Sequence, residues 1–536
     1  MTNLMKLEQP SPAPLAKAAW RDPFYWWVAA ALAVYTIALG VNIKAYAFGS
    51  DPSGYLNHAR LLVGGSSVVE QRAPTGFDRS KFHPMTFVPL SFKATADGRM
   101  IPVYPAGLPA AVAAVAQVTG WKAAPHATML LMALLGILAT VWLGSELGLP
   151  RPWAWLTAAL LAAGPLYNMM AMNLMSDVPA LVSVTAAMAM AWKSRTRAGW
   201  AFGAGMALAY SVFVRPTDLL VVLAAGVCMG GSVRRWVFFC LGGLPGAVIW
   251  CLYNRALTGH FFVTGYGSVS EHFSWGAVPQ ITVFYIRWLP VLATPVGVCA
   301  LGLPWLWKRP GGSPAAMMLM AWIVAFLLFY VADIDSKLQW GGLRYVLPVF
   351  PACLAGGLMV IREWGGTDMG KRFTARLDKI VRGRGWAVAV CAVAIFGVVC
   401  TLRFHIARAA APAAIYPEAS EWAVTHLPAD ALIIGMDMTG TLYCYTSFEM
   451  ARTDWLDEAT WPELVRECAA AHKPLFAVMH FPYDLSTADR ALAKNEKAKD
   501  GVASVQRDLE LRFPGKWTEA GGVDAITFWR LDTGGK

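Results

Sequence analysis

The chain has 536 residues, of which 57% are hydrophobic and only 15% are charged, and its mean hydropathy is +0.45. Because about a quarter of the residues of a soluble domain are charged, this composition excludes a soluble enzyme and indicates an integral membrane protein. The net charge of +11 comes mostly from cations at the predicted inner ends of membrane spans, so it does not indicate a nucleic-acid partner.

Eleven apolar runs are candidates for helices that cross the bilayer, which takes about 20 residues each. They lie at 24–43, 125–147, 153–173, 178–192, 199–214, 217–231, 236–254, 281–307, 315–332, 344–361 and 386–404. The preceding segment, 1–23, is too polar and rich in proline to be a signal peptide, so the first run is predicted to be an uncleaved span. An odd number of spans places the two termini on opposite sides of the membrane.

The positions of lysine and arginine predict the orientation. If residues 1–23 are cytoplasmic, cations recur in every inner segment and are densest in the loop 362–385, whereas the short outer connections carry few. Cytoplasmic loops are the ones enriched in lysine and arginine. We therefore expect the N-terminus inside and the C-terminus outside.

The first span leads into a long outer loop, residues 45–121, which opens with candidate catalytic side chains. Asp51 follows the span closely, and Tyr55 and His58 come soon after it. A carboxylate delivered just outside the membrane suggests a catalytic base at the membrane face. Within the loop, residues 110–118 are apolar but too few to span, so we expect a helix at the outer interface.

Further polar side chains fall on the same predicted outer face, in the first loop and in the turns between later spans. They are Arg79, Lys81, His83, Asp177, Arg215, Glu271, His272 and Arg344, the last followed by Tyr345. Two carboxylates and several cations at a bilayer surface suit a reaction on a lipid-linked phosphate. A carboxylate would take the proton of an acceptor hydroxyl or amine that attacks a sugar, and cations would hold the leaving phosphate.

Residues 406–536 differ in composition from the rest of the chain and predict an outer α/β domain that is large enough to fold on its own. Short β-like runs at 431–436, 475–479 and 525–529 alternate with amphipathic helical stretches such as 418–426 and 461–472. This region contains no GxGxxG motif and no phosphate-binding loop.

The order and spacing of these motifs resemble those of the GT-C superfamily of multi-span glycosyltransferases. That superfamily includes the protein O-mannosyltransferases, the lipid A aminoarabinose transferases and the oligosaccharyltransferases. The resemblance covers residues 24 to about 405, and an appended outer α/β domain is also usual for the superfamily. The motifs are Ser50-Asp51 with Tyr55, His83-Pro84, Tyr104-Pro105, Ser176-Asp177-Val178-Pro179, Val214-Arg215-Pro216 and Arg344-Tyr345-Val346-Leu347-Pro348.

The resemblance implies a polytopic α-helical membrane protein with a catalytic domain at 24–405 and a periplasmic α/β domain at 406–536. It assigns Asp51 as the base or acceptor-orienting residue and Asp177 as the second acidic residue. Arg344 would contact the donor phosphate, helped by Lys81 or Arg79. The other substrate-binding candidates are Tyr55, His58, His83, Arg215, Glu271, His272 and Tyr345.

The residue that follows Asp51 departs from the family pattern. Many relatives have a second carboxylate there, but this chain has Pro52. We therefore expect an enzyme without metal or other cofactor. A divalent metal, as used by oligosaccharyltransferases, is the less favoured alternative.

The leading interpretation is an inverting glycosyltransferase of a bacterial inner membrane. It would move a sugar from a polyprenyl-phosphate-linked donor, at the outer face, to a protein, a lipid or a cell-envelope polymer. The first alternative is a lipid-linked sugar flippase or other transporter, but transporters place ionisable residues within their spans, which here carry almost none in their middles. The second is an assembly scaffold, for which both carboxylates would be dispensable.

Each candidate residue also has a purely structural interpretation. Both carboxylates could cap helix N-termini, and both arginines at span ends could be interfacial anchors. His58 could pack against Tyr55 one helical turn away, and Glu271 and His272 could be a solvated pair in a loop.

Overall fold

The computed structural model describes residues 23–267, 273–292, 294–309, 313–333, 340–365, several positions between 392 and 399, 411–486 and 502–532. The predicted span 386–404 and the candidates Glu271 and His272 lie outside these described residues. The helices are α1 (Pro23–Asn42), α2 (Asp51–Val63), α3 (Gly107–Thr119), α4 (Ala124–Glu146), α5 (Arg151–Ala162), α6 (Pro165–Met172), α7 (Asp177–Lys193), α8 (Trp200–Val214), α9 (Val222–Met229), α10 (Val233–Thr258), α11 (Val278–Leu292), α12 (Pro295–Val298), α13 (Leu303–Lys308), α14 (Pro314–Tyr330), α15 (Phe350–Trp364), α16 (Ile415–His426), α17 (Thr439–Tyr445), α18 (Thr460–Ala470) and α19 (Val502–Arg512).

Among the described residues, four helices are long and apolar enough to cross a membrane. They are α1, α4, α10 and Gly342–Trp364, which joins part of the 3-10 segment Trp340–Val349 to α15. The pair α6 and α7 forms a fifth candidate that is bent by 116°. The shorter apolar helices are α3, α8, α14 and Pro216–Met229, in which a 3-10 turn leads into α9. The number of eleven spans therefore stays a prediction.

Two of the predicted spans are not continuous helices. The run 153–173 is divided between α5 and α6, and the run 281–307 is divided into α11, α12, a 3-10 turn at Cys299–Gly302 and α13. The new helices begin at Pro165 and Pro295. The residue before a proline is sterically disfavoured from the helical conformation, so each proline ends one helix and starts another.

The first loop, residues 45–121, folds against the helices instead of projecting away from them. The helix α2 begins directly after a turn at residues 48–50, in which Gly49 has a φ of +51°. Strands β1 (Val69–Glu70), β2 (Phe92–Ala94) and β3 (Arg99–Pro102) form a small antiparallel sheet in the order β1-β3-β2. The helix α3 occurs where a helix was expected, and a Cβ at Gly107 would lie 2.4 Å from the backbone nitrogen of Val214, so α3 packs closely on the end of α8.

The C-terminal domain, residues 411–486 and 502–532, contains a mixed five-stranded sheet in the order β5-β4-β6-β8-β7. Strands β4 (Leu432–Gly435), β5 (Glu449–Arg452) and β6 (Leu475–His480) are parallel, whereas β8 (Ile526–Leu531) is antiparallel to β6 and to β7 (Trp517–Val523). The helices α16 and α17 cover one face of the sheet, and α18 and α19 cover the other. The predicted strands at 431–436, 475–479 and 525–529 correspond to β4, β6 and β8, whereas β5 and β7 were not predicted from the sequence.

The first loop and the C-terminal domain share a hydrophobic core. Phe77, Phe82 and Phe87 of the loop are buried in the same cluster as residues of α18 and α19. Burial of apolar surface is the main favourable term in such docking, at about 25 cal/mol per Å². The C-terminal domain is therefore held directly against the segment that carries Asp51.

Candidate functional site

A cavity of about 1230 Å³ lies between the first loop and the apolar helices. Five charged side chains line it: Asp333, and a group of four that we call the polar end, Asp51, Asp177, Arg215 and Arg344. The remaining wall is mostly apolar and is formed chiefly by α8 and α10. This combination of a charged recess with an apolar groove suits an amphiphilic ligand.

Asp51 is bound on both carboxylate oxygens. Nη2 of Arg344 lies 2.7 Å from its Oδ2, and the Tyr104 hydroxyl donates to its Oδ1. Ser50 is the N-cap residue of α2, and Asp51 is the first residue within the helix. Its side chain remains 19% exposed, so a substrate in the cavity can reach it.

Asp177 forms the second ion pair of the polar end. Nη2 of Arg215 lies 2.6 Å from its Oδ1, and the Asp177 side chain is almost fully buried. Its Oδ2 has no hydrogen-bond partner among the described residues. The bend between α6 and α7 brings Asp177 to this place, because the chain reverses over 173–176 and Asp177 begins the second helix. Arg215 follows the last residue of α8.

Tyrosines surround the two ion pairs. The Tyr55 hydroxyl donates to Oγ of Ser176 over 2.9 Å, and the rings of Tyr55 and Tyr104 lie 5.0 Å apart. Tyr345 stacks on Tyr330 at 5.4 Å, and the guanidinium groups of both arginines of the polar end lie over its ring. Burial raises the pKa of the Tyr55 and Tyr104 hydroxyls, so both stay protonated at neutral pH and can donate hydrogen bonds.

The apolar wall depends on a close approach of α8 and α10. A Cβ at Gly205 would lie 2.1 Å from the carbonyl oxygen of Phe239, and a Cβ at Gly242 would lie 2.0 Å from that of Phe202. Small residues allow backbones to come this close, as is common between membrane helices. The cavity-facing side chains of this wall are Leu208, Ala209 and Val212 from α8 and Ala247 and Trp250 from α10.

Four of the predicted substrate-binding residues do not line the cavity. His58 is fully buried, with its Nε2 2.5 Å from the Tyr253 hydroxyl. Arg79, Lys81 and His83 lie on the outside of the first loop. Lys81 pairs with Glu463 and Glu467 of α18 at 2.6 and 2.7 Å, and His83 stacks on Trp455 at 4.1 Å.

Several cavity residues were not among the predicted site residues. Tyr104 belongs to the predicted motif Tyr104-Pro105 but was not predicted to be a site residue, although its hydroxyl contacts Asp51. Tyr266, Tyr330 and Thr217 also line the cavity. Tyr330 ends an apolar helix, where a single aromatic residue gives no signal of a site. Thr217 lies in the 3-10 turn before α9, and Tyr266 lies in a loop whose path the sequence does not reveal.

No group of three or more His, Cys, Asp or Glu side chains in the described part of the chain is arranged to hold a metal ion. Both carboxylates of the polar end are instead paired with arginines.

No protein-family model and no curated protein matches this sequence. Solved structures do resemble it. ArnT from Cupriavidus metallidurans bound to undecaprenyl phosphate aligns over 95% of this chain and 99% of its own, with a TM-score of 0.58 at 15% identity. Its apo state covers 95% and 98%, with a TM-score of 0.60 at 15% identity.

The archaeal oligosaccharyltransferase AglB from Archaeoglobus fulgidus, in complex with an inhibitory peptide and a dolichol-phosphate, also resembles the chain. It aligns over 88% of this chain and 71% of its own, with a TM-score of 0.52 at 9% identity. At these identities the likeness shows the fold alone. The chain therefore has the GT-C fold, which is the one that the motifs of its sequence predicted.

Proposed function

We propose that this protein is a glycosyltransferase that moves a sugar from a polyprenyl-phosphate-linked donor to an acceptor at the outer face of a bacterial inner membrane. The observation that carries the proposal is the cavity, in which two arginine–carboxylate pairs at one end meet an apolar groove between helices. A donor of this class has the same two parts, a sugar phosphate and a hydrocarbon chain.

Arg344 and Arg215 would bind the donor phosphate. Each guanidinium has five N–H donors in a planar fork, so an arginine that contacts one carboxylate oxygen keeps other donors for phosphate. Tyr345 lies beneath both guanidinium groups, at 5.0 Å from Arg344 and 5.5 Å from Arg215, and helps to fix their positions. The apolar chain of the donor would follow the wall formed by α8 and α10.

Asp51 would act as the base. The acceptor oxygen or nitrogen forms its bond to the anomeric carbon while the bond from that carbon to the phosphate oxygen breaks. The acceptor proton passes to Asp51, and the arginines stabilise the charge left on the polyprenyl phosphate. One displacement of this kind inverts the anomeric centre. Asp177 would hold Arg215 in place.

The fold supports the class of donor. The solved structures include ArnT bound to undecaprenyl phosphate and AglB in complex with a dolichol-phosphate, both of which are polyprenyl-type lipid phosphates. The paired carboxylates favour a reaction in which no metal takes part. The orientation that the positive-inside rule predicts would place the polar end and the C-terminal domain on the outer side.

The test combines a binding and a transfer assay on purified protein in lipid nanodiscs. Undecaprenyl phosphate is used to measure affinity, and labelled undecaprenyl-phosphate sugars with envelope extract as acceptor are used to measure transfer. We expect Asp51→Asn to bind the lipid phosphate normally and to lose about 10²- to 10⁴-fold in turnover, because it lacks the base. Arg344→Ala should bind the lipid phosphate more weakly.

The matched control is Arg99→Ala, which removes an exposed arginine of the same loop that forms an ion pair with the nearby Asp97. It should leave both assays unchanged. Transfer should continue in EDTA, and its loss there would support the metal-dependent alternative. Full turnover by a folded Asp51→Asn variant would exclude Asp51 as the base, and transport of the labelled lipid without transfer would favour a flippase.

A further inference from the structure

The strand order of the C-terminal domain identifies a particular crevice at the edge of its sheet. From β4 the chain passes to β5 on one side and then crosses to β6 on the other, so the order β5-β4-β6 changes direction between β4 and β6. In open α/β sheets, ligands bind outside the carboxyl ends of the strands at such a switch point. A ligand-binding site is therefore expected at the same position of this sheet.

Hydrogen-bonding side chains converge at this point. Asp437 comes two residues after β4, and His480 is the last residue of β6. The Tyr416 hydroxyl, from the first turn of α16, donates to Oδ2 of Asp437 and lies 2.9 Å from Nδ1 of His480. The backbone N–H of His480 donates to Oδ2 of Asp484 over 2.8 Å. These side chains form a connected network across the ends of two adjacent parallel strands.

A segment of this same chain lies at the crevice. The ring of Phe48 lies 5.6 Å from that of Tyr416, and a Cβ at Gly49 would lie 3.5 Å from Oδ1 of Asp437. Both residues belong to the turn that immediately precedes Asp51. The crevice that holds ligands in other sheets of this topology therefore holds the turn that delivers the carboxylate to the cavity.

The helix α17, which follows Asp437, contacts both flanks of that turn. On one side, the Tyr445 hydroxyl accepts from the backbone N–H of Ala47 over 3.0 Å. On the other, Nδ2 of Asn57 donates to the carbonyl of Gly440 over 2.8 Å, and a Cβ at Gly440 would lie 2.4 Å from Oγ of Ser53. Residues 47–57 are thus held at both ends by one short helix.

We propose that the C-terminal domain positions Asp51, with Tyr416, Asp437 and Gly440 as positioning residues that act through the turn at 48–50 and through α2. This inference rests on the proposed role of Asp51 in transfer. None of these three residues lines the cavity. Their effect on the reaction is to fix the Asp51 carboxylate against Arg344, where a displacement of about 1 Å costs on the order of 100-fold in rate.

The principal test is Gly440→Ala, because the added methyl group must push α2 away from α17. Hydrogen exchange followed by mass spectrometry should show faster exchange over residues 47–57. Turnover should fall by about tenfold or more, while the affinity for undecaprenyl phosphate should change less than twofold, since the phosphate-binding arginines Arg215 and Arg344 are on other elements. A second change, Ser53→Ala, removes the closest atom and should restore part of the turnover.

The control is Gly199→Ala, where an added Cβ has nothing within 4 Å and the φ of −59° suits any residue. It should leave exchange and turnover unchanged. Should Gly440→Ala fail to fold, Tyr416→Phe takes its place, because it removes one hydroxyl and keeps the ring against Phe48. We expect the same pattern there in smaller measure.

The outcomes separate this inference from the proposed function. Unchanged exchange at 47–57 in folded Gly440→Ala and Tyr416→Phe variants would overturn the inference even if the wild-type protein transfers sugar. An equal loss of lipid affinity and turnover would also overturn it, because it would indicate general damage. If the Gly440→Ala variant exchanges faster but Asp51→Asn keeps full activity, the contact with the C-terminal domain stands but has no role in catalysis. In that case the proposed function fails instead.

Discussion

Each carboxylate at the polar end is neutralised by one arginine, and the two pairs differ in how deeply they lie. Asp51 and Arg344 are 19% and 23% exposed, whereas Asp177 and Arg215 are 1% and 10% exposed. Removal of one member of a buried pair leaves a charge without compensation, which commonly costs about 3–5 kcal/mol. The partly exposed pair of Asp51 and Arg344 is therefore suited to exchange its ion-pair contacts for contacts with a substrate. The buried pair of Asp177 and Arg215, which we call the deep pair, is suited to keep its geometry.

A double-mutant cycle on the deep pair tests this distinction. We expect Asp177→Ala and Arg215→Ala each to lower the thermal unfolding midpoint clearly, and the double variant to be more stable than the sum of the two losses predicts. The coupling should be at least about 1 kcal/mol, as is common for residues in direct contact. The exposed pair Arg99 and Asp97 is the matched control and should show no measurable coupling. Additive losses at Asp177 and Arg215 would contradict the importance of their contact.

The role of His58, in packing or in substrate binding, can be tested through its protonation. Burial lowers the pKa of His58 to about 4, while in the unfolded chain a histidine titrates near 6.5. The unfolded state therefore takes up a proton first, so the contribution of His58 to stability is complete above about pH 6.5 and is lost as the pH falls toward 4.

We accordingly expect His58→Gln to bind undecaprenyl phosphate as the wild type does at pH 7.5. Its unfolding midpoint should fall less steeply than that of the wild type between pH 6.5 and pH 4, because it has no group there to titrate. Thermal unfolding at several pH values and a binding isotherm provide the measurements. A drop in affinity of more than about fivefold would instead support the substrate-binding role predicted for His58 from the sequence.

The site residues predicted from the sequence fall into two groups for a physical reason. The first group lies beside helix ends and consists of Asp51, Asp177, Arg215 and Arg344. Helix ends on one side of a membrane lie close together, so a motif at one helix end predicts contacts with residues at the others. Lys81 and its neighbours lie in the middle of a long loop. The partners of Lys81 are on α18, 382 and 386 residues later, and no local pattern predicts that contact.

At the scale of helices, the approach of α8 to α10 determines the width of the apolar groove. Gly242 and Gly243 are adjacent on α10 but differ in their surroundings: a Cβ at Gly242 would meet a backbone oxygen at 2.0 Å, and one at Gly243 would come no nearer than 3.6 Å to Gly205. Replacement of glycine by alanine within a helix favours the helix by up to about 1 kcal/mol at either position. The difference between the two variants therefore reports on the helix contact.

We expect Gly242→Ala to lower the unfolding midpoint and to weaken binding of undecaprenyl phosphate severalfold, because overpacking costs about 1–3 kcal/mol and moves the wall. Gly243→Ala, its neighbour, should be at least as stable as the wild type. Thermal unfolding and lipid binding on the two purified variants suffice for this comparison. Equal behaviour of the two variants would mean that the helices do not approach as closely as described.

The hydropathy of the sequence predicts the apolar helices but not the breaks within them. A sliding average of hydropathy reports only how apolar a run is, and the runs 153–173 and 281–307 are both strongly apolar. The breaks at Pro165 and Pro295 depend instead on the conformation of single residues. The bend before Asp177 is of the same kind. Its consequence is large, because it places a buried carboxylate at the cavity.

At the scale of the whole molecule, the predicted orientation places the C-terminal domain outside and the turn between α7 and α8 inside. Leu511 of the domain is 73% exposed, and Thr196 of that turn is also exposed. We expect a membrane-impermeant maleimide to label Leu511→Cys in intact spheroplasts and to label Thr196→Cys only after the membrane is permeabilised. The unmodified protein, with its own cysteines, provides the background. The opposite pattern would invert the topology.

The contact between α2 and α17 also bears on how the protein is made. The hydrogen bond from Asn57 to Gly440 joins residues 383 positions apart, and ribosomes add about 5–20 residues per second. The first loop thus waits for tens of seconds before its partner is synthesised. A nascent chain therefore has its lipid-facing helices well before its carboxylate is fixed in place, and competence is gained only when the last quarter of the polypeptide has been released and docked. On the proposed function, a chain that ends before α17 would lack the contacts that fix Asp51 and would not transfer sugar.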